Sequence, residues 1–388
     1  MLTLGLLLLA IAVLEGAYAY VGYPLLLLAM PRGWRPGGPV GDGDSTAWPF
    51  VSITLAAYNE EKVLGETLRT LLEVDYPHDR RQIIVISDAS TDRTDTIARS
   101  FEEQGVELLR LPQRSGKTAA ENASRARIRG EIVVNTDASV WIAPDALKPL
   151  VAVFRDPTVG VASGRDLSVG GDSTQNQGES GYVGYEMWVR DLETRAGGIV
   201  GASGCFYASR RELHGKIVPA ALSRDFAAPL IAQENGFRSV SVSDAVCFVP
   251  RTSSLRREYR RKVRTMARGL DTLYYKRHLL NPIRHGRFAW MLLSHKLTRW
   301  LIPWAAVLGL LGAVFVALQL PTVGWVVAAG LAATAGAMAI AWRWPARRPL
   351  PWILAAPAYV LFSLLAGVHA WIKALRQDLN PVWEPTRR

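Results

Sequence analysis

The sequence predicts an α/β domain with a mainly parallel sheet, tied to a membrane by hydrophobic helices. Three observations predict it. Hydrophobic residues make up 49% of the 388, which excludes a disordered or fibrous chain. From Phe50 onward, short apolar runs alternate with helical stretches, the pattern of βαβ units. Residues 2–30, 301–320, 322–342 and 350–372 are long apolar segments, interrupted by Glu15 in the first and His369 in the last. Each is long enough for a hydrocarbon core, which takes about 20 residues.

Taken in order, residues 1–30 read as an N-terminal transmembrane helix, because the apolar run continues past the signal-peptide-like "AYA" to Met30. Residues 31–48, "PRGWRPGGPV…", form a Pro/Gly linker. Residues 49–250 form the α/β domain. Its predicted strands are 51–57, 82–87, 106–111 and 132–135, and its predicted helices 61–72, 92–101, 117–127 and 145–154. Residues 251–298 are basic and amphipathic. Leu255, Tyr259, Val263, Met266 and Leu270 form one stripe opposite Arg256, Arg257, Arg260, Arg261, Arg264 and Arg268, as in a helix at a bilayer surface. Residues 299–374 hold the C-terminal transmembrane helices, and 375–388 a tail.

Charge sets the partners. The net charge is +11, but the basic residues cluster beside the apolar segments. Anionic lipid headgroups and phosphorylated ligands explain this better than nucleic acid. Arg32 and Arg35, the group from Arg251 to Arg299, and Arg343, Arg347 and Arg348 all face the cytoplasm if the first three segments cross in alternation. The α/β domain is then cytoplasmic. Four full crossings would strand Lys373, Arg376, Arg387 and Arg388 outside, so one segment is expected to be re-entrant or interfacial. Cys205 and Cys247 are the only cysteines, which gives no disulfide framework or zinc spacing.

The polar residues follow the strands. "YNEE" (58–61), "SDASTD" (87–92) and "NTDAS" (135–139) come at strand ends, and "RSGKTAAEN" (114–122) enters a helix. In a parallel sheet such segments gather at the C-terminal edge, where ligands bind. A carboxylate such as Asp137 suits Mg2+ or Mn2+ shared with substrate phosphates. Asp88 and Glu60 can accept hydrogen bonds from a base or ribose. Lys117, on a Gly-containing turn at a helix start, can meet a phosphate. The Walker spacing G-x-x-x-x-G-K-[ST] is absent, which counts against a P-loop kinase or ATPase.

Several motifs in order resemble the membrane-bound bacterial family 2 inverting glycosyltransferases, related to cellulose, hyaluronan and poly-N-acetylglucosamine synthases. They are "YVGYP" (20–24), "LAAYNEE" (55–61), "SDASTDRT" (87–94), "GKTAAEN" (116–122), "TDAS" (136–139), "YEMWVRDLETRAG" (185–197), "GASGCFYASRREL" (201–213) and "SRDFAAPLIAQENGFR" (223–238). The resemblance implies a GT-A fold, a nucleotide-sugar donor, in the first place a UDP-sugar, and a lipid-linked or glycan acceptor. It also implies a multi-pass protein of the inner (plasma) membrane.

Carried over residue by residue, the resemblance places Ala57, Tyr58, Asn59, Glu60, Asp88, Lys117, Asn122, Asp137 and Arg264 at the donor. It gives Mg2+ or Mn2+ to Asp137, with Ser139 where the family has a second aspartate. Asp225 becomes the general base that deprotonates the acceptor hydroxyl; without the surrounding motifs, a helix cap is the preferred reading of it. Arg224 stands where the family usually has an acidic neighbour. Arg264 matches the arginine of a Q-x-x-R-W element whose tryptophan is here Thr265 and whose glutamine is Arg261. That element accompanies processive synthases. The expected activity is therefore transfer of one sugar; the alternatives are a processive, polymer-extruding synthase, a polyprenyl-phosphate sugar synthase, or a non-catalytic export subunit.

Overall fold

The structure is a computed structural model, and it describes residues 1–31, 33, 48–169, 174–250, 255–344, 351–378 and 382. Most of the expected 31–48 linker, Arg251, Arg347 and Arg348, and the tail beyond 378 apart from residue 382 lie outside the described residues. The chain opens with α1 (Leu2–Ala17), a π-helical turn over Tyr18–Gly22, and α2 (Tyr23–Ala29), which together form one long helix.

The apolar runs then become strands. They are β1 (Val51–Ala57), β2 (Arg81–Ser87), β3 (Val106–Arg110) and β4 (Ile132–Asp137), all mutually parallel. Between and after them come α3 (Leu64–Leu72), α4 (Thr94–Arg99), α5 (Lys117–Ser124) and α6 (Leu147–Ala152). All seven residues of β1 are buried, because helices cover both faces of the sheet. Ile53 and Leu55 share a core with Leu68 and Leu147. Ala56, Ile84 and Val133 pack with Ala120 of α5.

The second half adds β5 (Trp141–Ile142), β6 (Val159–Val169), α7 (Thr174–Ala196), β7 (Phe206–Arg210), α8 (Arg211–His214), α9 (Arg224–Glu234) and β8 (Arg238–Pro250). The eight strands run in the order β3-β2-β1-β4-β7-β6-β8-β5. β7 joins β4 antiparallel, so the sheet is mixed. Register decides where the loops go. Ala57 pairs with Ser87, Ala56 with Asp137, and Ser87 with Arg110. The polar segments after these strands therefore emerge along one edge.

Toward the C-terminus come α10 (Leu255–Tyr275), α11 (Pro282–Leu292), a second π-helical turn over Leu293–Thr298, α12 (Arg299–Gln319), α13 (Pro321–Arg343) and α14 (Trp352–Leu375). Among the described residues, four stretches are long and apolar enough to cross a membrane: Leu2–Ala29, Pro282–Gln319, Pro321–Arg343 and Pro357–Leu375. α1 and α12 meet through small residues. A Cβ on Gly5 would lie 2.9 Å from the carbonyl oxygen of Gly312, and one on Gly312 only 2.7 Å from that of Gly5. Such glycine contacts let two helices approach backbone to backbone in lipid. The two π-helical turns also touch: the hydroxyls of Tyr18 and Ser294 are 2.7 Å apart.

The last helix packs along the helices before it. Ala358 and Phe362 of α14 pack on Ala341 near the end of α13. Trp371, thirteen residues beyond Ala358, donates its indole N–H to the carbonyl of Trp300 in the first turn of α12, at 2.7 Å. α14 thus runs from the end of one hairpin helix to the start of the other. α10 follows the same course, with Tyr259 against Trp342 and Gly269 against Trp300. Val263, Ala267, Ala366 and Ala370 form a shared core. The apolar stripe of α10, expected to lie on the bilayer, is therefore covered in this part by α14.

Candidate active site

The β1 and β2 loops interlock first. Asn59 and Ala89 adopt left-handed backbone angles, φ 54° and 57°, which a non-glycine residue adopts at a cost. The side-chain oxygen of Asn59 accepts from the backbone N–H of Thr91 at 2.8 Å. Asp92 accepts from the backbone N–H groups of Glu61 and Thr94, at 3.1 and 3.0 Å. Tyr58 leaves β1 at this edge with the Arg114 guanidinium over its ring, 3.8 Å from the centroid.

Asp88 follows directly. Its backbone N–H continues the β1–β2 ladder to Ala57. Its two carboxylate oxygens accept the backbone N–H groups of Ser115 and Gly116, at 2.7 and 2.9 Å. Gly116 has φ 94°, a left-handed angle that glycine reaches without strain. The fully buried Asp88 thus shapes the turn that starts α5 and presents Lys117.

The Lys117 ammonium donates to the carboxylate of Asp137 and, at 2.9 Å, to the carbonyl of Gly204. Glu121, one turn on, lies 3.9 Å away. Burial alone would lower the Lys117 pKa, but the carboxylates of Asp137, Glu121 and Asp225 outweigh it and raise it. Burial pushes the Glu121 carboxyl up. Asp137 and Ser139 share the tight turn after β4, closed by the Val140 N–H on the Asp137 carbonyl at 3.1 Å. A carboxylate that attracts an ammonium, beside a hydroxyl, fits Mg2+ or Mn2+ whose other ligands come from a bound diphosphate. Among the described residues no three His, Cys, Asp or Glu side chains gather into a metal site made by protein alone.

Asp225 is the second residue of α9. Ser223, at the N-cap, directs its hydroxyl to Asp225 Oδ1 at 2.5 Å and caps no backbone N–H. Asp225 Oδ2 lies against Gly204, where a Cβ would come within 2.8 Å. Gly204 therefore joins three parts of the site: its carbonyl holds Lys117, Lys117 holds Asp137, and its bare Cα faces Asp225.

Among the expected donor residues, Asn122 holds partners within the domain. Asn122 donates to the Val218 carbonyl at 2.7 Å and accepts from Arg224 at 2.5 Å. Arg224 is buried, also donates to the His214 carbonyl, and lies 3.8 Å from Glu121. It supports α5 from behind. Arg264 sits one turn before Arg268, and Arg268 donates to Thr118 Oγ1 at 2.9 Å and to the Leu222 carbonyl at 2.5 Å. Glu121, Arg114, Gly204 and Arg268 were not singled out from sequence. The first three lie inside or beside quoted motifs, and Arg268 repeats one turn after Arg264.

Comparison with known proteins places this geometry. The profile described as Glycosyl transferase family 2 matches residues 52–218. A beta-monoglucosyldiacylglycerol synthase of Synechocystis sp. is 35% identical over 124 residues, 31% of this chain and 26% of that protein. An N-acetylglucosaminyltransferase of Rhizobium leguminosarum is 30% identical over 165 residues, 41% of this chain and 37% of that protein. The chain thus spans well under half the length of these relatives. The solved structure of a mannosyltransferase from Pyrobaculum calidifontis, in complex with GDP-Man and Mn2+, superposes with a TM-score of 0.70 at 25% identity, covering 96% of this chain and 99% of that one.

Proposed function

We propose, on the premise that residues 52–218 make this chain a family 2 glycosyltransferase with a GT-A fold, that it transfers one sugar from a nucleotide-sugar donor to a lipid-linked or glycan acceptor at a membrane surface, with inversion. The observation that carries this reading is the junction at Gly204, where Lys117, Asp137 and Asp225 meet from three elements.

In the proposed mechanism the loops after β1 and β2 receive the nucleoside, with Tyr58, Asn59 and Glu60 on one side and Arg114 over the Tyr58 ring. Lys117 faces the diphosphate at the start of α5. Asp137 and Ser139 would hold Mg2+ or Mn2+, which supplies Lewis-acid stabilisation of the leaving nucleoside diphosphate. Asp225 takes the proton of the acceptor hydroxyl as that oxygen attacks the anomeric carbon. Glu121 and Arg224 keep Lys117 and α9 in place.

The helices suggest the membrane arrangement. α1–α2, α12 and α13 are proposed to cross the bilayer. α14 is proposed to lie in the cytoplasmic face beside α10, since its two ends touch the domain-side ends of α13 and α12. The relatives named for a glucolipid and for an N-acetylglucosaminyl transfer support a lipid or glycan acceptor.

The test uses the full chain in lipid nanodiscs with Mn2+ and a panel of labelled UDP- and GDP-sugars, plus a membrane lipid extract. Release of nucleoside diphosphate with label in the lipid or glycan fraction is expected. No release from any donor counts against the proposal, and a long labelled polymer would favour a processive synthase.

A further inference from the structure

Behind the acceptor side of this site lies a buried group of charges that the mechanism above does not use. Both ring nitrogens of His295, in the second π-helical turn, meet carboxylates of α7: Nδ1 lies 2.6 Å from Glu193 and Nε2 2.7 Å from Glu186. Arg299 donates to the other oxygen of Glu186 at 2.7 Å, and Tyr23 of α2 donates to Glu193 at 2.5 Å. These short contacts satisfy most of the carboxylate oxygens and bind α2 and α12 to the domain.

Two cations remain loosely held. Lys296 is 3.5 Å from Glu186, an oxygen His295 already occupies. Arg190 is 8% exposed, its closest acceptors are at 3.4 Å, and its Nε has no hydrogen-bond partner. Leaving His295 aside, two carboxylates thus face three Lys and Arg side chains, and Lys296 and Arg190 reach only the one Glu186 oxygen, at 3.5 and 4.0 Å. Both touch one loop. Arg190 donates to the Ala202 carbonyl, and Lys296 lies on Gly201, where a Cβ would come 2.9 Å from its Cε and 3.1 Å from its Nζ. The other end of this loop is Gly204, against Asp225. Lys296 also lies 5.9 Å from the ring of Phe226, the residue after Asp225. A buried positive surplus this near a reacting hydroxyl is stabilised by an anion.

We propose that Lys296, supported by Arg190 beneath the Gly201–Gly204 loop, is a binding site for an anionic group on the acceptor, a phosphate carried by a lipid headgroup. The proposal rests on the transferase reading, which it deepens by naming the acceptor's chemistry. The lysine comes from the helix that enters the membrane through α12, so a headgroup phosphate reaches it from the bilayer while a hydroxyl of the same headgroup faces Asp225.

The test uses the full chain in dodecyl maltoside micelles, which carry no phosphate, with dodecyl phosphate, dodecanol and inorganic phosphate as probes and thermal stabilisation as the binding readout. Wild type is expected to bind dodecyl phosphate about tenfold more tightly than dodecanol, the value of a charge-assisted bond. Lys296→Met loses that preference and Lys296→Arg retains it. Gly201→Ala, which displaces Lys296 without removing its charge, weakens the preference and guards against a folding defect in Lys296→Met. Equal binding of phosphate and alcohol by wild type overturns the proposal, as does an undiminished preference in Lys296→Met. Inorganic phosphate binding as tightly as dodecyl phosphate overturns the lipid assignment. Wild type that turns over nucleotide sugars yet shows no phosphate preference defeats this proposal alone; wild type without turnover defeats the transferase reading.

Discussion

Lys117 bridges Asp137 and the Gly204 carbonyl, so the ammonium occupies the carboxylate proposed for the divalent cation. Lysine and metal then share Asp137, and the diphosphate brings enough negative charge for both. Asp137→Asn is expected to lower turnover about 100-fold or more, the scale of losing one preorganised electrostatic group. Calorimetry of nucleoside diphosphate binding with and without Mn2+ checks the cause: the variant should lose the strengthening by Mn2+ that wild type shows.

Asp225→Asn keeps the shape of the site and removes the base. Turnover should fall roughly 100- to 10,000-fold while nucleoside diphosphate binding persists. Gly204→Ala should also lower turnover, because its new Cβ would stand 2.8 Å from Asp225 Oδ2. Initial rates over a range of acceptor concentrations check both; normal rates in Asp225→Asn would remove this residue from the chemistry.

Asp88→Ala leaves the N–H groups of Ser115 and Gly116 unpaired at a buried turn. The expected cost is about 3 kcal/mol of stability, together with a raised donor KM, since the turn presents Lys117. Denaturation midpoints and donor titrations measure the two effects separately.

If α14 lies in the cytoplasmic face, the domain and residue 377 share one side of the membrane. In a background with Cys205→Ser and Cys247→Ser, Glu103→Cys and Gln377→Cys should react with an impermeant maleimide from the same side, and Leu320→Cys from the opposite side. Labelling of 377 together with 320 would mean that α14 crosses.

Asp271 gives a pH-dependent test. Burial pushes its carboxyl up from 3.8 to about 6, and its Oδ2 is buried without a partner. Between these values the folded protein holds the proton that the unfolded chain has released, so stability falls as pH rises from about 4 to about 6 and then levels off. Asp271→Asn should therefore be more stable than wild type above pH 6 and no more stable at pH 4. The side chain is partly solvated, so the gain is about 1 kcal/mol or less. Thermal melts of both proteins across this range measure it.

The first half of the domain was legible because a strand buried on both faces must be a continuous apolar run, as in Ile83–Ile86 and Ile132–Val134, and each run was followed by its polar cluster. The gathering of those clusters followed from parallel topology. The packing of α14 along α10 was not legible, since hydropathy does not report which neighbour a helix meets. Nor was the pairing of Glu186 with His295, more than a hundred residues apart. Asn122 and Arg224 show a third limit. A motif marks residues that belong to a site, but not the partners that each one holds in the fold.

The two π-helical turns carry one more consequence. Each adds a residue to its helix, and one residue is about 100° of rotation. Tyr23 follows the first insertion and His295 lies within the second, and both meet the domain, while Gly5 and Gly312 meet in the apolar seam beyond them. Deleting a single residue from 293–298 would swing the whole of α12 about its axis and turn Gly312 away from Gly5, with every carboxylate of the domain still in place. The insertions thus act as phase correctors, letting one continuous helix satisfy a polar partner and a lipid-bound one whose angular demands do not otherwise agree.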